Sequence, residues 1–331
     1  EGSRVSFVGT ATAGTDHLDL DYCAGRDMAC VSAPGCNANS VAEYIVAALP
    51  VLARRHAFRL EGRTLGIVGV GHVGTRVARM AGALGLRVLL NDPPRAAAEG
   101  IRDLRPLAEV LAGSDIVTLH VPLTTMGDYA TRHLVDCRFL SQLKPGCLFL
   151  NASRGEVVDE DCLLLALDQG WIGRAVLDVF ECEPRLRREV AARADLISPH
   201  IAGYSFEGRL RGTDLCYQAA CRFFEREATW NPAAIYGARR GRITASARGR
   251  EDEEVLHTLV RSAYDVEADD RALRGGLEAD DVQRGRHFQQ LRSAYPERHE
   301  FPAYALALEE AEPALRERVR GLGFHLEETG P

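Results

Sequence analysis

The chain has 331 residues, 46% hydrophobic and 26% charged, with a formal net charge of −7. That length suits two or three domains with a large core, the acidic balance argues against a nucleic-acid-binding surface, and no apolar run reaches membrane-spanning length or resembles a signal peptide. Nine cysteines without C-x-x-C spacing read as buried or incidental thiols in a reducing, cytoplasmic compartment, with no metal site, and the single lysine, Lys144, leaves almost no place for active-site amine chemistry.

In chain order, residues 4–8 read as a strand. The GTATAGTDHLD stretch that follows, from Gly9 to Asp19, sets small hydroxyl residues between glycines. It suits a loop that holds a small anion or polyol, and equally a plain connection. A short helix and a strand at 29–32 come next. Ser40-Val41-Ala42-Glu43 has the form of a capping box and opens a long helix in which Pro50 should cause a kink or a lost hydrogen bond.

Residues 65–70 form a short apolar run rich in β-branched side chains, which reads as a buried strand. It runs into Gly69-Val70-Gly71-His72-Val73-Gly74, then a helical pattern on Val73, Val77, Met80, Ala81 and Leu84. A second strand, 86–90, leads to Asp92, about 20 residues beyond the first glycine. A strand–glycine turn–helix–strand–acid unit has a physical logic. Gly69 permits the tight turn, Gly71 lets the backbone approach a pyrophosphate, and Gly74 lets the helix pack on the strand. The helix N-terminus favours the phosphates. Asp92 accepts from a ribose 2′-hydroxyl and repels a 2′-phosphate, which favours NAD; Arg95 just behind it keeps NADP open as the alternative.

The alternation continues: a helix at 107–111, a strand at 115–122, a helix at 136–143, a strand at 146–151, a helix at 159–170, a strand at 175–179 and a last short strand at 195–198. This pattern predicts an α/β, doubly wound parallel sheet, whose ligands bind at the carboxyl ends of the strands. A helix at 207–227 follows. Beyond it the composition shifts, with a basic turn at 239–242, a strand at 243–247, an amphipathic helix at 251–264, a charged loop with a helical piece at 269–285, and a β-α-β unit over 304–327.

Three residues at strand ends stand out. Arg154 offers a planar fork for a carboxylate, His200 an imidazole suited to take a proton, and Glu183 a carboxylate that orients an imidazole. Each alone also reads as an ordinary surface or loop residue.

The glycine turn with Asp92, then NASRGEVVDEDCLLLALDQG, AVLDVFECEP and SPHIAGYS, resembles the D-isomer-specific 2-hydroxyacid dehydrogenases over residues 9–215. The resemblance implies a Rossmann-like NAD domain at 39–203 and a partial flavodoxin-like substrate domain at 1–38 and 204–236, with a further segment ahead of Gly9. It places catalysis at Arg154, Glu183 and His200. NAD contacts would come from Gly69, Gly71, His72, Val73, Gly74, Asp92, Val121, Ser153, Asp178 and Gly203, and substrate contacts from Thr12 and Tyr204. GTATAGTDHLD, APGCNA and the tail point, within that family, to a phosphorylated hydroxy acid as substrate and to a small α/β dimerisation domain at 237–331 that makes a homodimer. Arg209 and Arg211 are candidates for the substrate phosphate. The alternatives left open are a phosphoglycerate or glyoxylate dehydrogenase and an NAD-responsive, non-catalytic scaffold.

Overall fold

The computed structural model describes residues 4–101, 103–236 and 241–327. Strand β1 (Phe7–Gly9), helix α1 (Leu20–Ala24) and strand β2 (Ala29–Val31) make a small parallel pair. Helix α2 (Ala38–Arg55) leads away from it. The central unit runs β3 (Thr64–Val68), α3 (His72–Ala83), β4 (Arg87–Asn91), α4 (Pro93–Glu99), α5 (Leu107–Gly113), β5 (Ile116–Leu119), α6 (Cys137–Ser141), β6 (Cys147–Asn151), α7 (Glu160–Asp168), β7 (Ile172–Leu177), α8 (Arg188–Arg193) and β8 (Leu196–Ile197). Its six strands are all parallel, in the order β4-β3-β5-β6-β7-β8. The chain starts at β3, moves outward to β4, and returns to the other side of β3 with β5. The strand order therefore reverses between β3 and β5, which opens a crevice at their carboxyl ends.

β3, β5 and β6 are buried along their whole length, as sheets covered on both faces require. One core cluster joins Leu65, Ile67, Leu148 and Val176 to α2 and α3; the other joins Val117, Phe149, Leu177 and Val190 on the opposite face.

After α9 (Phe206–Phe223) come α10 (Ala233–Tyr236), β9 (Gly241–Ser246), α11 (Asp252–Ala263), α12 (Val266–Arg274), α13 (Asp281–Ser293), β10 (Tyr304–Glu309), α14 (Pro313–Gly321) and β11 (His325–Leu326). β9, β10 and β11 form a parallel sheet in the order β11-β10-β9. Among the described residues, this region has no core cluster of its own. Val255, Leu256 and Leu259 of α11 and Leu315 and Val319 of α14 share one apolar cluster with α2 and α3, while Leu273 and Phe288 of α12 and α13 join the other. α12 also covers the outer edge of β8, where Asp270 accepts from Ile197 N at 2.8 Å.

Several expectations are corrected. Ser40 and Glu43 do not cap α2. The helix begins earlier, behind Asn37, and both side chains lie buried inside it. Ser40 Oγ donates to Glu300 (2.8 Å), and Glu43 accepts from Phe301 N (2.8 Å). As expected, Pro50 leaves one backbone bond unmade, yet the helix runs on through it because it is buried almost throughout. The charged stretch 269–285 holds more helix than expected: residues 269–274 end α12, 275–280 turn, and 281–285 open α13. The cysteines are not all thiols: Cys137 and Cys162 form a disulfide that ties α6 to α7. Part of the basic turn at 239–242 lies outside the described residues.

Candidate active site

The glycine turn has the form its sequence predicts. Gly69 sits at φ +90°, and a Cβ there would lie 2.5 Å from the His120 carbonyl oxygen, so β3 and the loop after β5 meet only because the side chain is absent. A Cβ on Gly74 would strike the Gly69 oxygen, whereas Gly71 faces open space. The turn is thus closed on the protein side and open where a pyrophosphate would approach the N-terminus of α3. Asp92 Oδ2 accepts from Val70 N (2.8 Å), and Oδ1 accepts from Arg95 N (3.1 Å), so the acid at the end of β4 is locked against the turn. Arg95 is turned away from a 2′-phosphate role: its guanidinium holds Glu99 through two bonds, at 2.9 and 2.7 Å. These features fit NAD.

The ends of β6, β7 and β8 carry the reactive groups. Asn151 Oδ1 accepts from Ser153 N and Oγ, and its amide donates to the Arg154 carbonyl (2.9 Å), which folds the chain back so that Arg154 faces the cleft. After β7, Asp178 is almost completely buried. It accepts from Ser198 Oγ (2.7 Å), Ile201 N (2.8 Å) and Ala202 N (3.0 Å). Burial pushes its pKa up, an effect opposed by His200 and these donors. Asp178 therefore fastens the loop on which His200 stands. That residue has the left-handed φ of +56°, and its backbone N–H donates to the Asp178 carbonyl at 2.7 Å.

Glu183 Oε1 accepts from Phe180 N (3.0 Å), while Oε2 lies 2.7 Å from His200 Nδ1. A carboxylate only accepts, so this contact places the ring proton on Nδ1 and leaves Nε2 as the base. A second pair, His133 with Glu181 at 2.6 Å, lies nearby, but of the two histidines only His200 lines the cleft. His120, at the end of β5, also lines it; burial with Nδ1 unpartnered lowers its pKa to about 3, so it stays neutral.

The cleft, about 2300 Å³ with its open mouth, brings together Thr12, His72, Val73, Val121, Ser153, Arg154, Asp178, Glu183, His200, Gly203 and Tyr204. Gly69, Gly71, Gly74 and Asp92 form the turn beside it. The Thr12 hydroxyl donates to the Gly14 carbonyl (2.7 Å). Arg209 lines the cleft, but Arg211 does not: it donates to the Cys36 carbonyl (2.7 Å) and pairs with buried Glu300. Arg211 is thus corrected from a phosphate candidate to a structural tie. Two cleft residues do not show in the sequence. Asp16 holds Arg154 Nε at 2.7 Å, and Arg292 reaches the cleft from α13. The TAGTD motif contains Asp16, but nothing in it shows the partner; Arg292 carries no local signal.

A parallel doubly wound sheet with this glycine turn, and with an arginine and a histidine–carboxylate pair at its strand ends, defines an NAD-binding dehydrogenase domain. Residues 50–202 match the model described as D-isomer specific 2-hydroxyacid dehydrogenase, NAD binding domain, and residues 242–323 match a domain of unknown function, DUF3410. The chain belongs to the erythronate-4-phosphate dehydrogenase family of the D-2-hydroxyacid dehydrogenases. It is 44% identical to the erythronate-4-phosphate dehydrogenase of Salinibacter ruber, with 92% of this chain and 80% of that protein covered. It is 42% identical to that of Escherichia coli O9:H4, over 95% and 81%. Among solved structures it is similar to a D-lactate dehydrogenase from Aquifex aeolicus complexed with NAD and lactic acid, with 29% identity, a TM-score of 0.55, and 67% of this chain and 77% of that chain covered. An NAD-dependent formate dehydrogenase from Staphylococcus aureus gives 26% and 0.58, over 68% and 74%.

Proposed function

We propose that the chain oxidises 4-phospho-D-erythronate at C2 to 2-oxo-3-hydroxy-4-phosphobutanoate, a step of pyridoxal phosphate biosynthesis. The observation that carries this reading is the convergence of Arg154 and the His200–Glu183 pair on one cleft beside the glycine turn. NAD, when bound, supplies the hydride acceptor. The turn at Gly69, Gly71 and Gly74, the N-terminus of α3 at His72 and Val73, and Asp92, Val121, Ser153, Asp178 and Gly203 would hold it.

Arg154 grips the substrate carboxylate and polarises the C2 oxygen. To do so it exchanges Asp16 for the substrate, one carboxylate for another, and the released Asp16, already partly exposed, turns to solvent. His200 Nε2 takes the C2 hydroxyl proton as the C2 hydride departs. Glu183 stabilises the imidazolium that forms and holds its tautomer. Thr12 and Tyr204 contact the rest of the substrate.

In this reading residues 39–203 bind the cofactor, 1–38 with 204–236 hold the substrate, and 237–331 join two copies. β9 is a terminal strand of its sheet, and a terminal strand has backbone groups to offer a second copy. No helix among the described residues is long and apolar enough to cross a membrane. A reaction between NAD and a phosphorylated acid suits the cytoplasm. NADH formation with 4-phospho-D-erythronate, run beside 3-phosphoglycerate, tests the reading. Turnover of the first alone is expected, and equal turnover of both, or of neither while NAD binds, overturns it.

A further inference from the structure

Arg209 and Arg292 stand in the same cleft as Arg154 and His200. Their environment differs from that of Arg154 and Arg211 close by, and of Lys144. Arg154 is paired with Asp16, Arg211 with Glu300, and Lys144 with Asp115. Among the described residues neither Arg209 nor Arg292 has a carboxylate partner.

Both guanidiniums lie against Tyr204: the Arg209 carbon is 4.8 Å and the Arg292 carbon 5.7 Å from the ring centroid. Arg292 Nη2 also donates to the Tyr204 hydroxyl at 3.1 Å. Its Nε is buried and has no hydrogen-bond partner. A buried, unsatisfied donor on a charged group is costly unless a ligand completes it. Tyr204 is itself propped by Tyr295, with ring centroids 5.8 Å apart, so the platform is anchored in the segment that carries Arg292.

We propose that Arg209 and Arg292, steadied by Tyr204, form the subsite that binds the phosphoryl group of the substrate. This rests on the phosphorylated-acid reading above and deepens it. Guanidinium forks match phosphate oxygens and stay charged at all physiological pH values. Two cations without counter-ions suit a dianion better than a neutral hydroxymethyl end. The two residues come from different parts of the chain, Arg209 from α9 and Arg292 from α13. Arg292 falls within residues 242–323, the segment whose family match names no function. That segment therefore takes part in substrate selection by completing the cleft.

The test compares the full-length chain with Arg292→Ala, Arg209→Ala and Arg292→Lys, using 4-phospho-D-erythronate and D-erythronate with NAD and checking folding by thermal melting. The wild type is expected to prefer the phosphorylated acid. Arg292→Ala should raise KM for it by about 10- to 100-fold, the worth of a charge-assisted bond pair, and lower the preference over D-erythronate by a similar factor. Arg292→Lys should recover part of the loss. A purely structural arginine would change both substrates alike. Folded Arg292→Ala and Arg209→Ala proteins that keep the wild-type preference overturn the proposal.

If Arg292→Ala fails to fold, Arg209, which is exposed, carries the test alone. If the wild type shows no preference for the phosphorylated acid, the functional reading has failed. The subsite is then judged by inorganic phosphate, measured as its shift of the melting temperature. A shift in wild type that is lost in Arg209→Ala supports the subsite, and equal shifts or no shift in either contradict it.

Discussion

The two sides of the cleft are built differently. On one side six parallel strands are packed between two apolar clusters, and the groups at their ends are fixed by buried bonds; Asp178 alone anchors Ser198, Ile201 and Ala202. On the other side β1 and β2 form a two-stranded pair of three residues each with no residue fully buried. That side reaches the reactive groups through Asp16, whose side chain is 45% exposed. The dense side fixes geometry, so it can hold a base and its orienting acid in register before any substrate arrives. The thin side holds its contact at a partly exposed ion pair, which the proposed mechanism has a substrate carboxylate replace.

Substitutions should break this contrast unequally. The largest effect is expected at Arg154. Arg154→Ala should lower kcat/KM by about 10³-fold, the scale of a lost transition-state donor, with little change in stability because its ion pair is partly exposed. Steady-state kinetics and melting on the same sample check both halves. Next comes Asp178→Ala, which leaves two buried backbone donors without their acceptor and Ser198 Oγ with Tyr44 as its remaining partner. It should cost about 3 kcal/mol in denaturant unfolding and loosen the His200 loop.

An effect absent at neutral pH and growing in acid is expected at His120. Its folded pKa of about 3 lies below its usual 6.5. The unfolded chain therefore binds one more proton between these values. The stability this ring contributes is complete above pH 6.5 and is lost as pH falls towards 3. His120→Gln should flatten that acid limb by up to about 1.4 kcal/mol per pH unit, as read from unfolding curves across the range. The smallest effect belongs to the thin side: Asp16→Asn should change stability by less than about 1 kcal/mol while lowering KM for the substrate, since its carboxylate no longer competes for Arg154.

The same contrast governs what could be read in the sequence. The parallel sheet was legible because each strand, turn and helix carries a local pattern; Gly69 to Asp92 is one continuous unit. That Arg154, Glu183 and His200 share a cleft was legible because strand ends in such sheets lie along one edge. Contacts between distant segments were not. Ser40 and Glu43 look like a capping box, but their partners, Glu300 and Phe301, lie some 260 residues away. Arg292 sits in a helix whose apolar face is reduced to a few residues around Phe288, so neither helix nor cleft position shows in the sequence. Arg211 was misjudged for the related reason that its counter-ion, Glu300, comes from the far end of the chain.

The most direct test of the central claim, that the dense side binds cofactor and performs the proton transfer through separate groups, is to replace His200 by Asn and measure NAD affinity and turnover on one preparation. NAD binding within about twofold of wild type, with kcat reduced by about 10²- to 10⁴-fold, is the predicted result. Retained turnover, or turnover and NAD binding lost together in a folded protein, would contradict it.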